Sequence, residues 1–85
     1  MLSTTIKRVY MDQILSGEKK VEYKENTPYW QDRIKGGASI INFLCGQKFY
    51  KYRIVRIRCI KTPKRIRFLI KTSYCFAIEL GEHVE

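Results

Sequence analysis

The run at residues 49–61 constrains the fold of this chain more than any other stretch. Tyr50, Tyr52 and Ile54 are apolar on even positions, with Lys51 and Arg53 between them. Beyond them Val55, Ile57 and Cys59 are apolar on odd positions, with Arg56 and Arg58 between. A strand sends alternate side chains to opposite faces, so one regular strand cannot keep both halves against a core. One extra residue at Ile54–Val55 restores the parity, and the pattern therefore predicts a β-bulge there. Bulges bend strands, which suits a sheet curling toward a small barrel. In that geometry Tyr50 and Tyr52 face the core, while Lys51, Arg53, Arg56 and Arg58 all point outward.

The neighbouring segments supply the partners. Residues 4–8 read as a short first strand. Met11, Ile14 and Leu15 follow at helical spacing, and Gly17 stands where a helix C′ glycine belongs. Residues 20–24 alternate, Val21 and Tyr23 on one side and Lys20, Glu22 and Lys24 on the other, as in a half-buried strand. Thr27-Pro28 is an N-cap followed by proline at the first helical position. Trp30 and Ile34 share one face of that second helix, and Gly36-Gly37 ends it. Residues 38–45 form an apolar strand, Gly46-Gln47 a turn, and Thr62-Pro63 a break. Ile66, Phe68 and Ile70 alternate as a further strand, and residues 74–80 make a last one closed by Gly81. With 85 residues there is one core and one domain, 1–85. The expected fold is α+β: a small, mainly antiparallel β-barrel with two helices.

Charge narrows the partners. Seventeen Lys and Arg face eight Asp and Glu, a formal charge of +9. Between Arg33 and Ile78 there is no acidic residue, while twelve basic ones occur. Such a field attracts polyanions, and nucleic acid is the expected partner. No helix sets a basic face against an apolar one, so a membrane surface is not expected. Cys45, Cys59 and Cys75 are far apart in apolar runs and read as buried free thiols of a reducing compartment. With His83 the only histidine and no close cysteine pair, no metal and no cofactor are expected. No segment has the length of a signal peptide's apolar core or a membrane span, and the expected location is the cytoplasm.

The chemistry concentrates in Ile14-Leu15-Ser16-Gly17-Glu18-Lys19-Lys20-Val21-Glu22-Tyr23-Lys24. Gly17 lets the chain turn sharply out of the helix and brings Lys19 near the helix C-terminus, whose carbonyls favour a cation. Glu22 and Lys24 project from one strand face. A carboxylate among Lys19, Lys20 and Lys24 orients those ammonium groups, giving cations for a phosphate and a carboxylate for a base or sugar donor. The alternative is a salt-bridge ladder on an exposed strand face. Trp30 is either core or a base-stacking ring; Tyr29 and Arg33 are better placed for exposed contacts. Lys51, Arg53, Arg56 and Arg58 form a solvated basic face, or a backbone-tracking groove if that face is continuous with the Lys19–Glu22 cluster.

This segment resembles the signature of ASCH domains, small members of the PUA-like superfamily: a helix ending in I-L-x-G, then G-x-K-x-x-E-x-R running into a strand. Gly17, Lys19 and Glu22 match it. Lys24 stands in place of the arginine, which keeps the charge but loses the planar fork. Pro28-Tyr29-Trp30 with Arg33-Ile34 and Gly36 looks like the second helix of such proteins, and Phe76-Ala77-Ile78-Glu79-Leu80-Gly81 like their closing strand. The resemblance implies an RNA- or nucleotide-like ligand in a cleft lined by the motif. Some ASCH-like proteins are hydrolases of modified cytidine that use the motif lysine, a threonine three residues later and a distant glutamate. Here Lys19 is kept, but Glu22 holds the threonine's place, so no hydroxyl nucleophile is supplied there. Others are ribonucleases, and Lys19 with Glu22 can serve as an electrostatic and acid–base pair. No Ser-His-Asp set, Cys-His pair, Walker loop or dinucleotide glycine motif occurs. Two function classes stay open: a binding module for RNA or a nucleotide, and a small hydrolase working through Lys19 and Glu22. A protein-interaction role is a weaker third.

Overall fold

The computed structural model of the chain describes residues 1–84. The fold is α+β, with two helices and a curled sheet of five strands. In chain order the elements are β1 (Leu2–Thr5), α1 (Arg8–Leu15), β2 (Val21–Glu25), α2 (Pro28–Lys35), β3 (Ile40–Cys45), β4 (Lys48–Lys61) and β5 (Tyr74–Val84). The sheet runs β1-β3-β4-β5-β2; β1 pairs parallel with β3 and every other pair is antiparallel. The sheet curls into a half-barrel, mainly antiparallel as expected. Its edge strands β1 and β2 do not pair, and the Lys24 ammonium donates across the gap to Thr4 Oγ1 at 2.9 Å.

β4 carries the curl. Its register to β5 passes from Tyr52↔His83 to Ile54↔Leu80 to Arg56↔Glu79. Val55 is therefore the extra residue on β4, where the change of phase places it. An opposing irregularity at Gly81–Glu82 on β5 compensates. Gly81 thus lies inside β5 and does not end it. A Cβ there would meet Val55 Cγ2 at 3.3 Å and Arg53 Cβ at 3.5 Å, so glycine lets the two strands close over the bulge. With the parity restored, Tyr52 is buried and Tyr50 half-buried, while Lys51, Arg53, Arg56 and Arg58 stand exposed on the outer face.

The inner face holds the core: Leu2, Met11, Ile14, Ile41, Phe43, Cys45, Tyr52 and Ile78. Phe43 and Tyr52 meet edge to face at 6.1 Å between centroids. Helix α1 is only eight residues long, too short to persist alone. Met11 and Ile14, both buried, anchor it to the sheet, each burial contributing about 1.5–3 kcal/mol. Helix α2 begins as expected, with Thr27 Oγ1 accepting from the Trp30 N–H at 3.4 Å and Pro28 in the first turn.

Three further expectations need correction. The first strand lies at Leu2–Thr5, not 4–8. The segment containing Ile66, Phe68 and Ile70 is no strand. It is a 3-10 turn (Lys64–Ile66) and loop, in which the N–H groups of Leu69 and Ile70 both donate to the Ile66 carbonyl at 2.9 Å. The sequence Phe68-Leu69-Ile70 is apolar three times running, which breaks a two-residue period, and only Ile70 is buried. Finally, Cys45 and Cys75 are buried but Cys59 is exposed.

Candidate anion-binding site

Strand β2 sits opposite to the ordinary amphipathic sense. Glu22 is in register with Ile78, and Lys24 with Phe76, so the charged side of β2 faces the inside of the half-barrel. Val21 and Tyr23 face the other way and are only half-buried. The Glu22 side chain is 8% exposed, Lys24 15% and Lys19 23%, which rules out a ladder on an open strand face. Burying charge is costly unless it is paired, and here it is. Lys19 Nζ lies 2.7 Å from Glu22 Oε1, and Lys24 Nζ lies 3.5 Å from Glu22 Oε2. Each ammonium also sits by an aromatic ring, Lys19 at 5.0 Å from the Tyr10 centroid and Lys24 at 5.2 Å from that of Trp30.

The end of α1 sets the position of Lys19. Gly17 takes φ +83°, a left-handed conformation that glycine adopts without penalty. Its N–H donates to the Ile14 carbonyl at 3.1 Å, and the Lys19 N–H donates to the Gln13 carbonyl at 2.9 Å. The Ser16 hydroxyl donates to that same Gln13 carbonyl at 3.0 Å. The turn is thus fixed by bonds to the last helical carbonyls; the Gly17 bond is the inner one of a Schellman motif, while Lys19 rather than Glu18 reaches the Gln13 carbonyl. Lys19 leaves it directed at Glu22, three residues on.

Lys19, Glu22 and Lys24 line a cavity of about 450 Å³, within the range of small-ligand sites. Thr5, Ile6, Lys7, Tyr10 and Gln13 form one wall, and Arg65, Ile66, Phe68, Leu69 and Ile70 the facing one. Tyr23 borders it too, its hydroxyl accepting from Arg65 Nη2 at 3.2 Å. Four cations (Lys7, Lys19, Lys24 and Arg65) therefore face a single carboxylate, Glu22, among largely apolar walls. Such a hollow favours an anion carrying an apolar or aromatic body. Glu22, with one oxygen toward each inner ammonium, holds Lys19 and Lys24 in place.

The other residues singled out from the sequence lie elsewhere. Lys20 is exposed and borders a separate small hollow with Gly17 and Gly81. Tyr29 and Arg33 stack on each other on the exposed side of α2, the guanidinium carbon 4.2 Å from the ring centroid. Lys51, Arg53, Arg56 and Arg58 occupy the outer face of the sheet, whereas Glu22 and Lys24 occupy the inner one. The basic face of β4 is therefore not continuous with the cavity. It is also partly neutralised. Arg53 Nε pairs with Glu82 at 2.7 Å, and Arg56 and Arg58 share Glu79 Oε2 at 2.6 and 2.9 Å. The hydrogen bond from Arg56, with the charges of both arginines, holds the Glu79 carboxyl below its ordinary value.

Sequence reasoning did not single out Thr4, Lys7, Tyr10, Arg65 and Phe68. Only the irregular Phe68-Leu69-Ile70 run gave any sign that its segment was a loop able to wall a site. Among the described residues no group of three His, Cys, Asp or Glu side chains is placed to hold a metal, and no helix is long and apolar enough to cross a membrane. No family model, curated protein or solved structure matches this chain.

Proposed function

We propose that this chain is a binding module for RNA or a nucleotide, of the ASCH type within the PUA-like superfamily, with the ligand's phosphate held in the cavity between α1, β2 and the 64–70 loop. One observation carries the reading: Lys19, Glu22 and Lys24 converge inside one concave surface and are joined there by Lys7 and Arg65. The G-x-K-x-x-E-x-K spacing of residues 17–24 agrees with it. Lys7 and Arg65 serve as the outer cations that draw in the anion, and Lys24 and Lys19 as the inner ones. Glu22 holds the inner pair in place, and Tyr10 and Phe68 offer aromatic surface to a sugar or base. The hydrolase reading gains less support, because Glu22 is already engaged by two ammonium groups and is better suited to orienting than to moving a proton.

Binding of a short single-stranded RNA, followed by fluorescence anisotropy at rising salt, tests the proposal. With about three phosphates neutralised, log Kd should rise with log salt at a slope of about 2. The Lys7→Ala, Arg65→Ala double variant should bind more weakly and lose on the order of one unit of that slope. A salt-independent affinity, or a double variant that binds like wild type, would overturn the proposal.

A further inference from the structure

A second hollow, of about 350 Å³, lies on the outer side of the sheet where α2 passes the β1 edge. Tyr29, Trp30 and Phe49 surround it, with Ser3 and Thr5 on β1 and Asn42 on β3. No charged side chain lines it. Two of its three rings are largely open to solvent, Tyr29 at 54% and Phe49 at 63%. Large aromatics left exposed around one hollow mark a contact surface rather than a core.

Asn42 supplies the second observation. It is nine-tenths buried, at 9% exposure, and its Oδ1 finds no hydrogen-bond donor in the protein. That oxygen is itself closed off, so it meets a ligand donor only when the amide turns toward the hollow that Asn42 lines, and relief of a costly unpaired acceptor favours that turn. An amide beside flat rings reads the edge of a nucleobase: its carbonyl accepts from an exocyclic amine while its NH2 donates to a ring nitrogen. The rim suits a polyanion, since Lys51 stands in register with Asn42 and Arg33 stacks on Tyr29.

We infer that this hollow is a base-binding subsite that takes an amino-bearing nucleobase, adenine best, stacked on Phe49 and Tyr29 and read by Asn42. The inference rests on the nucleotide-binding reading and extends it, because the hollow adjoins the cationic cavity. Thr5 lines both, and Lys24 both donates to Thr4 and sits over the Trp30 ring. A nucleotide whose phosphate enters the cavity leaves the adjacent base at the hollow.

Fluorescein-labelled five-nucleotide oligoadenylate and oligouridylate provide the test, measured against wild type, Phe49→Ala, Asn42→Ser and the Lys7→Ala, Arg65→Ala variant. Phe49 is exposed, so its replacement keeps the fold. Wild type should bind oligoadenylate more tightly than oligouridylate. Phe49→Ala should weaken oligoadenylate binding about five- to hundredfold with its salt slope unchanged, and Asn42→Ser should narrow the preference between the two oligomers. If Phe49→Ala binds oligoadenylate like wild type while the cavity variant is weakened, the subsite is overturned and the cavity stands. If only the hollow variants weaken binding, the subsite stands and the cavity reading falls. If none does, both fall.

Discussion

Replacing Glu22 by Gln should weaken the fold and strengthen anion binding together. The substitution keeps shape and removes one negative charge from between two ammonium groups at 2.7 and 3.5 Å. A hydrogen bond to a charged group contributes about 1.5–3 kcal/mol and a neutral one about 0.5–1.5 kcal/mol. The Gln amide offers only one oxygen, so one lysine meets an NH2 instead of an acceptor. Stability should therefore fall by about 2 kcal/mol, which for a domain of this size lowers Tm by roughly 8–16 °C. The effect on binding is opposite in sign. A carboxylate about 5 Å from a bound phosphate repels it by between about 1 and 3 kcal/mol as the effective dielectric falls from that of water toward 20. The variant should accordingly bind a short RNA between about fivefold and a hundredfold more tightly. Urea unfolding and anisotropy titration, below the new Tm, measure the two quantities. Unchanged stability would show that the lysines do not depend on Glu22. Weaker binding would show that the carboxylate holds the ligand itself, and the electrostatic argument would be wrong.

Three further predictions concern the frame and the chemistry. Deleting Val55 leaves Ile54, Arg56 and Ile57 in unbroken alternation, so Ile57 stays inward and Arg56 outward; the chain should still fold, by circular dichroism, but with the bend of β4 lost its unfolding stability should fall by more than about 1 kcal/mol, whereas Val55→Thr, at a position 66% exposed, should change it by less than about 0.5 kcal/mol. Iodoacetamide should label exposed Cys59 first and leave Cys45 and Cys75 unmodified until the protein unfolds, since both are buried and burial pushes the Cys75 thiol up from its ordinary value; rapid labelling of Cys75 in native protein would contradict the packing. Prolonged incubation with RNA should leave the RNA intact, and cleavage that Lys19→Ala abolishes in a folded variant would move the assignment to a hydrolase.

The sheet's bend was legible because a two-residue period leaves no freedom: the parity of Tyr52 and Ile57 can be reconciled only by one inserted residue, and Val55 is that residue. Both helix termini were legible for a similar reason, as Gly17 and Thr27-Pro28 act on the local backbone. The orientation of β2 was not. Alternation states that Glu22 and Val21 face opposite ways, but not that the acidic side faces in; that depends on the pairing with β5 and on Thr4 waiting across the gap for Lys24. The outer basic face was visible as a charge pattern, while its partial neutralisation by Glu79 and Glu82 rests on a cross-strand register that no local pattern encodes. Arg65 was hidden inside a segment whose spacing imitates a strand, although Pro63 and three consecutive apolar residues favour the turn that carries it to the cavity.

Nitrogen-15 NMR mapping of a short RNA onto the labelled protein tests the central claim most directly. Amide shifts should concentrate at Lys7, Lys19, Glu22 and Arg65 around the cavity, with lesser ones toward Asn42 and Phe49. Shifts confined to Arg53, Arg56 and Arg58 on the outer face, with the cavity silent, would contradict it.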